Sequence, residues 1–372
     1  MKISIKPAVI IMLAALTPFT TCIKGMSGIE KLEQPEFLIS INTYNNKTTP
    51  GTPGTDSFQS AQTPGQKVSI TIGTQIVNMI YANNQSSVTF PHGSSDASKQ
   101  TLTRKMFIQE TDFTNAMAVQ VLQWAYNNDK FSLNSGDYNY LSSSSINYGG
   151  QSLFKLTATA NITEDYNIQI AFSGGTFSVR NSEFANKPVT CITWYGAVML
   201  CNWLTEMEEG NTANCVYSGI DNTWLADETL TDLAKTGFRL PTRIEYWYCA
   251  RYRGDDYTNT VTGYSNPYFT KGNSASGATA DYSNTTATSA VAVYGTSALS
   301  VIKSKTANAL GLYDMTGNVW KWLENYSGNG AFDAGSCWDR PADQYLEIGV
   351  DASSNSCNDP AFHVGFRIAR TQ

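Results

Sequence analysis

The chain has 372 residues, of which 41% are hydrophobic and 12% aromatic, enough apolar material for a sizeable core, which excludes global disorder. Only 15% of its residues are charged, against roughly 25% in an average soluble protein, so the polar surface must come mainly from Ser, Thr, Gly, Asn and Tyr. Lys and Arg number 25 and Asp and Glu 31, a net charge of −6 with no basic tract, which argues against nucleic-acid binding through phosphates, and two histidines exclude a three-histidine metal site.

Lys2 and Lys6 precede an apolar run from Pro7 to Leu16, and Pro18 breaks it before Cys22. The run is too short for a membrane span, which needs roughly 20 apolar residues, and has the layout of an export signal. Phe19-Thr20-Thr21-Cys22 reads as a relaxed bacterial lipobox that makes Cys22 the lipidated first residue; cleavage without lipid and a buried N-terminal helix are the alternatives. Loss of residues 1–21 would leave a net charge of −8. Residues 22–35 then read as a lipidated linker and 36–85 as a short β-rich extension, with alternation at Ile39-Ser40-Ile41 and from Val68 to Ile72 around a Thr/Pro/Gly/Ser-rich loop.

Thr114 is placed to cap a helix over 115–126 with Ala118, Val121, Leu122 and Ala125 on its inner face. Residues 132–150, rich in Ser, Asn, Gly and Tyr, read as a long loop, and 154–158 and 166–172 as strands. Thr193 caps a second predicted helix over 194–208, with Ala197, Leu200, Cys201 and Leu204 inward and Gly210 at its end. Thr242 and Glu245 form a capping box for a third, whose inner face is Ile244, Trp247 and Tyr248 and which Gly254 closes. Residues 253–303 read as loop laid across the surface. Residues 319–323 and 365–369 read as strands. There is no βαβ rhythm and no Gly-rich phosphate loop. Seven cysteines are present without a CxxC, so neither a thioredoxin-like dithiol nor a structural zinc site is supported; Cys201 and Cys249 fall on apolar helix faces as buried thiols.

Several segments in order, Pro188 to Trp194, Cys201 to Leu204, Phe238 to Tyr246, Gly311 to Trp322, Gly335-Ser336 and Gly365-Phe366-Arg367, together resemble the formylglycine-generating, sulfatase-modifying family. The likeness spans residues 86–372. It implies an α+β architecture, a C-type lectin fold with a small twisted antiparallel sheet, two main helices and much irregular loop. Pro241 and Thr242, the Gly317-Asn318 turn, Trp320, Trp322 and a pairing of Arg239 or Arg367 with a carboxylate such as Glu245 read as scaffold.

The family's enzymes use copper, oxygen and two cysteines spaced Gly-Ser-aromatic-x-Cys-x4-Cys. Here Asp339 stands at the first position and Gln344 at the second, while Cys337 and Cys357 are twenty residues apart, with a disulfide between them left open. The chain is therefore read as a non-enzyme without catalytic residues or cofactor. A copper-dependent formylglycine-generating oxidase is a disfavoured alternative, and the iron-dependent sulfoxide-synthase branch needs more histidines than His92 and His363. A calcium-dependent lectin is the other alternative, but Glu347-Ile348-Gly349 lacks the sugar-binding signature. Scattered Asp residues leave a structural calcium open, without a DxDxDG loop.

Residues 337–363 mix small, acidic, aromatic and hydroxyl side chains without a helix or strand period, between Gly335-Ser336 and Gly365-Phe366-Arg367. This resembles the variable region of diversity-generating-retroelement proteins, such as the variable surface lipoproteins of Treponema. The resemblance and the residue types make Cys337, Trp338, Asp339, Arg340, Asp343, Gln344, Tyr345, Val350, Asp351, Ser353, Asp359, Phe362 and His363 the candidate ligand contacts. Leu346, Ile348, Gly349, Val364 and Phe366 read as sheet support, and Trp338 fits either set. The implied partners are a protein or peptide ligand at the cell surface and the membrane through a lipid anchor, with no nucleic acid. The chain is read as a monomeric, surface-exposed lipoprotein of the outer membrane. The competing reading is a loop-rich terminus with no ligand.

Overall fold

The computed structural model describes residues 57–156, 168–220, 230–327, 330–350 and 353–372. The signal at 1–21, Cys22, the linker at 22–35, the extension up to residue 56, and Asp351 lie outside the described residues.

β1 (Lys67–Ile72) buries Val68, Ile70 and Ile72 in strict alternation and turns at Gly73, which sits at positive φ, into β2 (Gln75–Asn83). β3 (Val88–His92) and β4 (Ser98–Leu102) form a second hairpin, and β5 (Met106–Gln109) is buried throughout. α1 (Asn115–Asn127) starts where Thr114 accepts from the Met117 amide, and its four expected inner residues are all buried. The stretch 132–150 is not all loop. It contains β6 (Asn139–Leu141) and β7 (Ser145–Tyr148), which continue into β8 (Gln151–Lys155) as a three-stranded sheet. β9 (Ile170–Ser173) and β10 (Thr176–Val179) make another hairpin.

α2 (Trp194–Glu209) is capped by Thr193 and stopped by Gly210 at φ 70°. Every residue from Trp194 to Thr205 is buried, so this helix runs through the interior rather than along its edge. The short strands β11 (Tyr217–Ser218) and β12 (Leu230–Thr231) pair, and β13 (Phe238–Arg239) leads to α3 (Arg243–Arg251), which opens on the expected capping box. α3 ends at Arg251, before Gly254, because the chain turns out into β14 (Tyr252–Gly254) to pair with β15 (Tyr268–Phe269). The loop-rich stretch beyond carries only α4 (Thr285–Ser289) and is pinned from beneath, as by Arg253 Nη1 on Ala278 O at 3.2 Å. β16 (Trp320–Ser327), β17 (Gly330–Ala334), β18 (Ser353–Ser356), β19 (Val364–Gly365) and β20 (Ala369–Thr371) complete the order.

Two sheets build the core. One runs β1-β2-β5-β20-β13, so residues 67–83 pair directly with the strands of the main body. The other runs β18-β17-β16-β19 and contains a parallel pair, Trp320 opposite Val364. In the first sheet, Phe107 joins the cluster with α1 and α2, whereas Met106 and Ile108 join the cluster with α3. Helices thus cover both faces, which is why β5 is buried without alternation. In β16, Trp320 and Trp322 point into the first cluster and Leu323 into the second.

The expected fold class needs correction. The architecture is α+β with a β-sheet core, but there are not two main helices around one small antiparallel sheet. Among the described residues α1, α2 and α3 have 13, 16 and 9 residues, α4 has 5, and the larger sheets have five and four strands. The physical reason is that each sheet face needs its own apolar cover, and several short helices supply it.

Buried ion pairs hold these layers together. Arg239 is bidentate on Glu245 at 2.6 and 2.7 Å, both side chains fully buried. Arg367 donates to Asp112 Oδ1 at 2.8 Å and to Tyr313 O at 2.8 Å.

Candidate functional site

The segment 337–363 leaves the core through Gly335 and Ser336, at φ 97° and 62°. A Cβ on Gly335 would lie 2.4 Å from Tyr246 Oη and 2.6 Å from Met315 O, so only glycine fits this exit. Beneath it, Lys321 is fully buried, its ammonium donating to Gly317 O at 2.6 Å with Asp112 3.9 Å away. Burial pulls the Lys321 pKa down to about 8 against the opposing pull of Asp112. Gly317 in turn donates to Gly335 O at 2.6 Å.

The scaffold holds the segment's main chain at close intervals. Trp338 N donates to Asn318 O at 3.0 Å, and Gly295 N and Thr296 N donate to Arg340 O and Trp338 O at 2.7 and 2.8 Å. Asp343 caps a short 3-10 turn, Gln344–Leu346, by accepting from the Tyr345 amide at 3.0 Å. Ile348 N and Gly349 N then donate to Ser274 O and Gly272 O at 2.9 and 2.8 Å. β18 lies on β17, and Trp194 N, Cys191 N and Trp320 N reach Cys357 O, Ala361 O and His363 O. Leu346, Ile348 and Cys357 are buried. Apart from the Asp343 cap, these contacts are to backbone or core, so most of the outer side chains are not needed to keep the path.

The candidate contacts sort by exposure. Asp339, Arg340, Gln344, Asp359 and Phe362 are exposed, and Trp338, Asp343, Tyr345, Val350 and His363 are half-buried. Ser353 lies in β18, opposite Asp333. Cys337 sits inside, 1% exposed, and its thiol donates to Asp339 Oδ1 at 2.9 Å. It is a free thiol, not half of a disulfide. Burial and the bond to Asp339 push its pKa up, away from the thiolate. Two groups are brought together at the surface. Trp338 and Phe362 have ring centroids 6.2 Å apart, and Phe362 meets His363 edge-on at 4.8 Å. Arg340 stacks over Tyr345 at 4.9 Å, and Tyr345 meets Trp320 at 5.8 Å. Burial holds the His363 pKa below its usual value, opposed by Asp339 and Asp359.

Sequence reasoning passed over Ser356 and Asn358, which are exposed on the same segment, and Asn355, which donates to Asp333 beneath it. Their small polar types match those of the chosen residues, so residue type alone could have included them. Burial raises the Asp333 carboxyl to about 7, with the Asn355 bond opposing.

With Asp339 and Gln344 at the family's cysteine positions and Cys337 buried as a hydrogen-bonded thiol, these residues do not fit Cu(I), which prefers soft sulfur ligands. Among the described residues no group of three or more His, Cys, Asp or Glu side chains could hold a metal ion.

Among solved structures, Treponema denticola variable protein 1 is 20% identical, with a TM-score of 0.54 over 82% of this chain and 99% of that one. PvdO from Pseudomonas aeruginosa is 14% identical, with a TM-score of 0.45 over 84% and 100%, and CarF 17% identical, with 0.41 over 77% and 98%. At these identities the first likeness is one of fold, and the other two carry no argument. No curated protein matches the sequence. The sulfatase-modifying factor enzyme 1-like domain matches residues 55–372, and the chain belongs to that family.

Proposed function

We propose that this chain is a surface-displayed binding protein without enzymatic activity, whose segment 337–363 is a diversifiable contact surface for a protein or peptide ligand. In this reading Cys22 carries the lipid that anchors it to the outer membrane. The observation that carries the proposal is the division of labour within the segment: its backbone is fastened to the scaffold through main-chain bonds, while Asp339, Arg340, Gln344, Asp359 and Phe362 project outward. Exposed substitutions away from special features typically change stability within ~0.5 kcal/mol, so such positions can vary without unfolding the domain. The shared fold with a Treponema variable protein supports the same reading.

The DNA beside the gene tests it. A near-copy of the stretch coding for 337–363, differing at adenines and adjacent to a reverse transcriptase, is expected. Its absence, together with oxidation of a sulfatase-derived peptide by the copper-supplied protein, would overturn the proposal.

A further inference from the structure

This inference rests on the binding-surface reading and adds the chemistry of the partner. Segment 337–363 contains five carboxylates, Asp339, Asp343, Glu347, Asp351 and Asp359, and one arginine, a net charge of −4 with histidine neutral. Arg340 lies over Tyr345 and its charge also reaches the His363 ring, so the carboxylates outnumber this cation without removing it. Asp343 is engaged as a turn cap. Asp339, which follows Trp338 in the chain and accepts from the buried Cys337 thiol, and Asp359, three residues before Phe362, are both exposed.

The His363 imidazole belongs to the aromatic row Trp338–Phe362–His363, and Phe362 is 45% exposed, one of few large apolar side chains so displayed. An aromatic face beside carboxylates attracts an organic cation through the ring quadrupole and through charge, and the methylene stem of a long basic side chain covers the apolar ring.

We propose that the patch formed by Trp338, Phe362, His363, Asp339 and Asp359 receives a Lys or Arg side chain of a basic polypeptide partner. The cation lies against Phe362 and pairs with the two carboxylates. Complementary charge also steers the encounter, so association weakens with added salt.

The test uses the full chain and synthetic dodecapeptides that share one spacer pattern and carry Arg, Glu or Ser at the same positions. The Arg peptide is expected to bind about tenfold tighter than the Ser peptide, with the Glu peptide weakest. Asp339→Asn with Asp359→Asn removes that preference, and Phe362→Ala weakens the Arg peptide about threefold. Asp129→Asn with Asp255→Asn, which neutralises exposed carboxylates elsewhere, leaves it unchanged. Equal binding of all peptides, or an Arg preference that survives Asp339→Asn with Asp359→Asn, overturns the proposal. Selection from a random dodecapeptide display separates the two ideas. Binders lost when Asp339, Arg340, Gln344, Asp359 and Phe362 are changed to Ser, but not enriched in Lys or Arg, overturn the cation assignment alone. Binders indifferent to those changes overturn the surface reading as well.

Discussion

Gly349 lies in the middle of the segment yet has no freedom to change. A Cβ there would stand 2.5 Å from Ser94 N and 2.6 Å from Gly93 O, both backbone atoms of the β3–β4 turn. That turn is itself fixed, because Arg251 donates to Gly93 O at 2.7 Å and to Asp96 at 2.5 Å. Gly349→Ala must therefore displace main chain, at about 1–3 kcal/mol for overpacking. It also strains the bonds from Ile348 N to Ser274 O and from Gly349 N to Gly272 O, each worth about 1 kcal/mol. The expected loss is about 3–4 kcal/mol from a total on the order of 5–15 kcal/mol. In thermal unfolding followed by circular dichroism this appears as a fall in Tm of roughly 6–8 °C. Gln344→Ala and Asp359→Ala, on the same segment but exposed, should each stay within about 0.5 kcal/mol. If Gly349→Ala melts with the parent, or the two exposed variants fall as far as it does, the separation of fastened backbone from replaceable surface is wrong.

Glu245→Gln leaves Arg239 buried without a counter-charge and should cost about 3–5 kcal/mol by urea unfolding, whereas Arg104→Ala, on the partly exposed side of the same carboxylate, should cost less than about 1 kcal/mol. The folded state raises Asp333 to about 7, so its contribution is fully present below the unfolded value near ~4 and is lost as pH rises through about 7. Asp333→Asn should abolish that loss, on the order of 4 kcal/mol between pH 4 and 8, and an unchanged pH slope would contradict the assignment. Cys22→Ala should abolish incorporation of labelled palmitate; retained label would refute lipidation at that residue.

The helix starts were legible because capping is local chemistry: Thr114, Thr193 and the Thr242–Glu245 box each satisfy amides within three residues. β1 was legible from its alternation. β6 and β7 were not, because their Tyr, Ser and Asn residues are partly exposed and gain their pairing from β8 rather than from a pattern of their own. Lys321 between two tryptophans carries no local sign of burial, since its carboxylate, Asp112, is more than two hundred residues away in sequence. At the candidate site, residue type singled out Asp339, Arg340 and Phe362, but not which way Cys337 faces. The left-handed exit at Gly335-Ser336 decides that, and turn handedness is not visible in composition.

The position of β20 has a consequence for how such a segment could be rewritten. The strand sits between β5 and β13, near the middle of the five-stranded sheet, and follows residues 337–363 in the chain. If residues 337–363 are rewritten as proposed, a ribosome must read through the altered codons before it can make β20. Any stop codon or frameshift introduced there deletes Arg367, with its grip on Asp112, along with β20 itself. Truncated products would be left with an open sheet and a buried carboxylate that keeps only Lys321 at 3.9 Å, so the architecture would act as its own proofreader, admitting in-frame variants to the folded population.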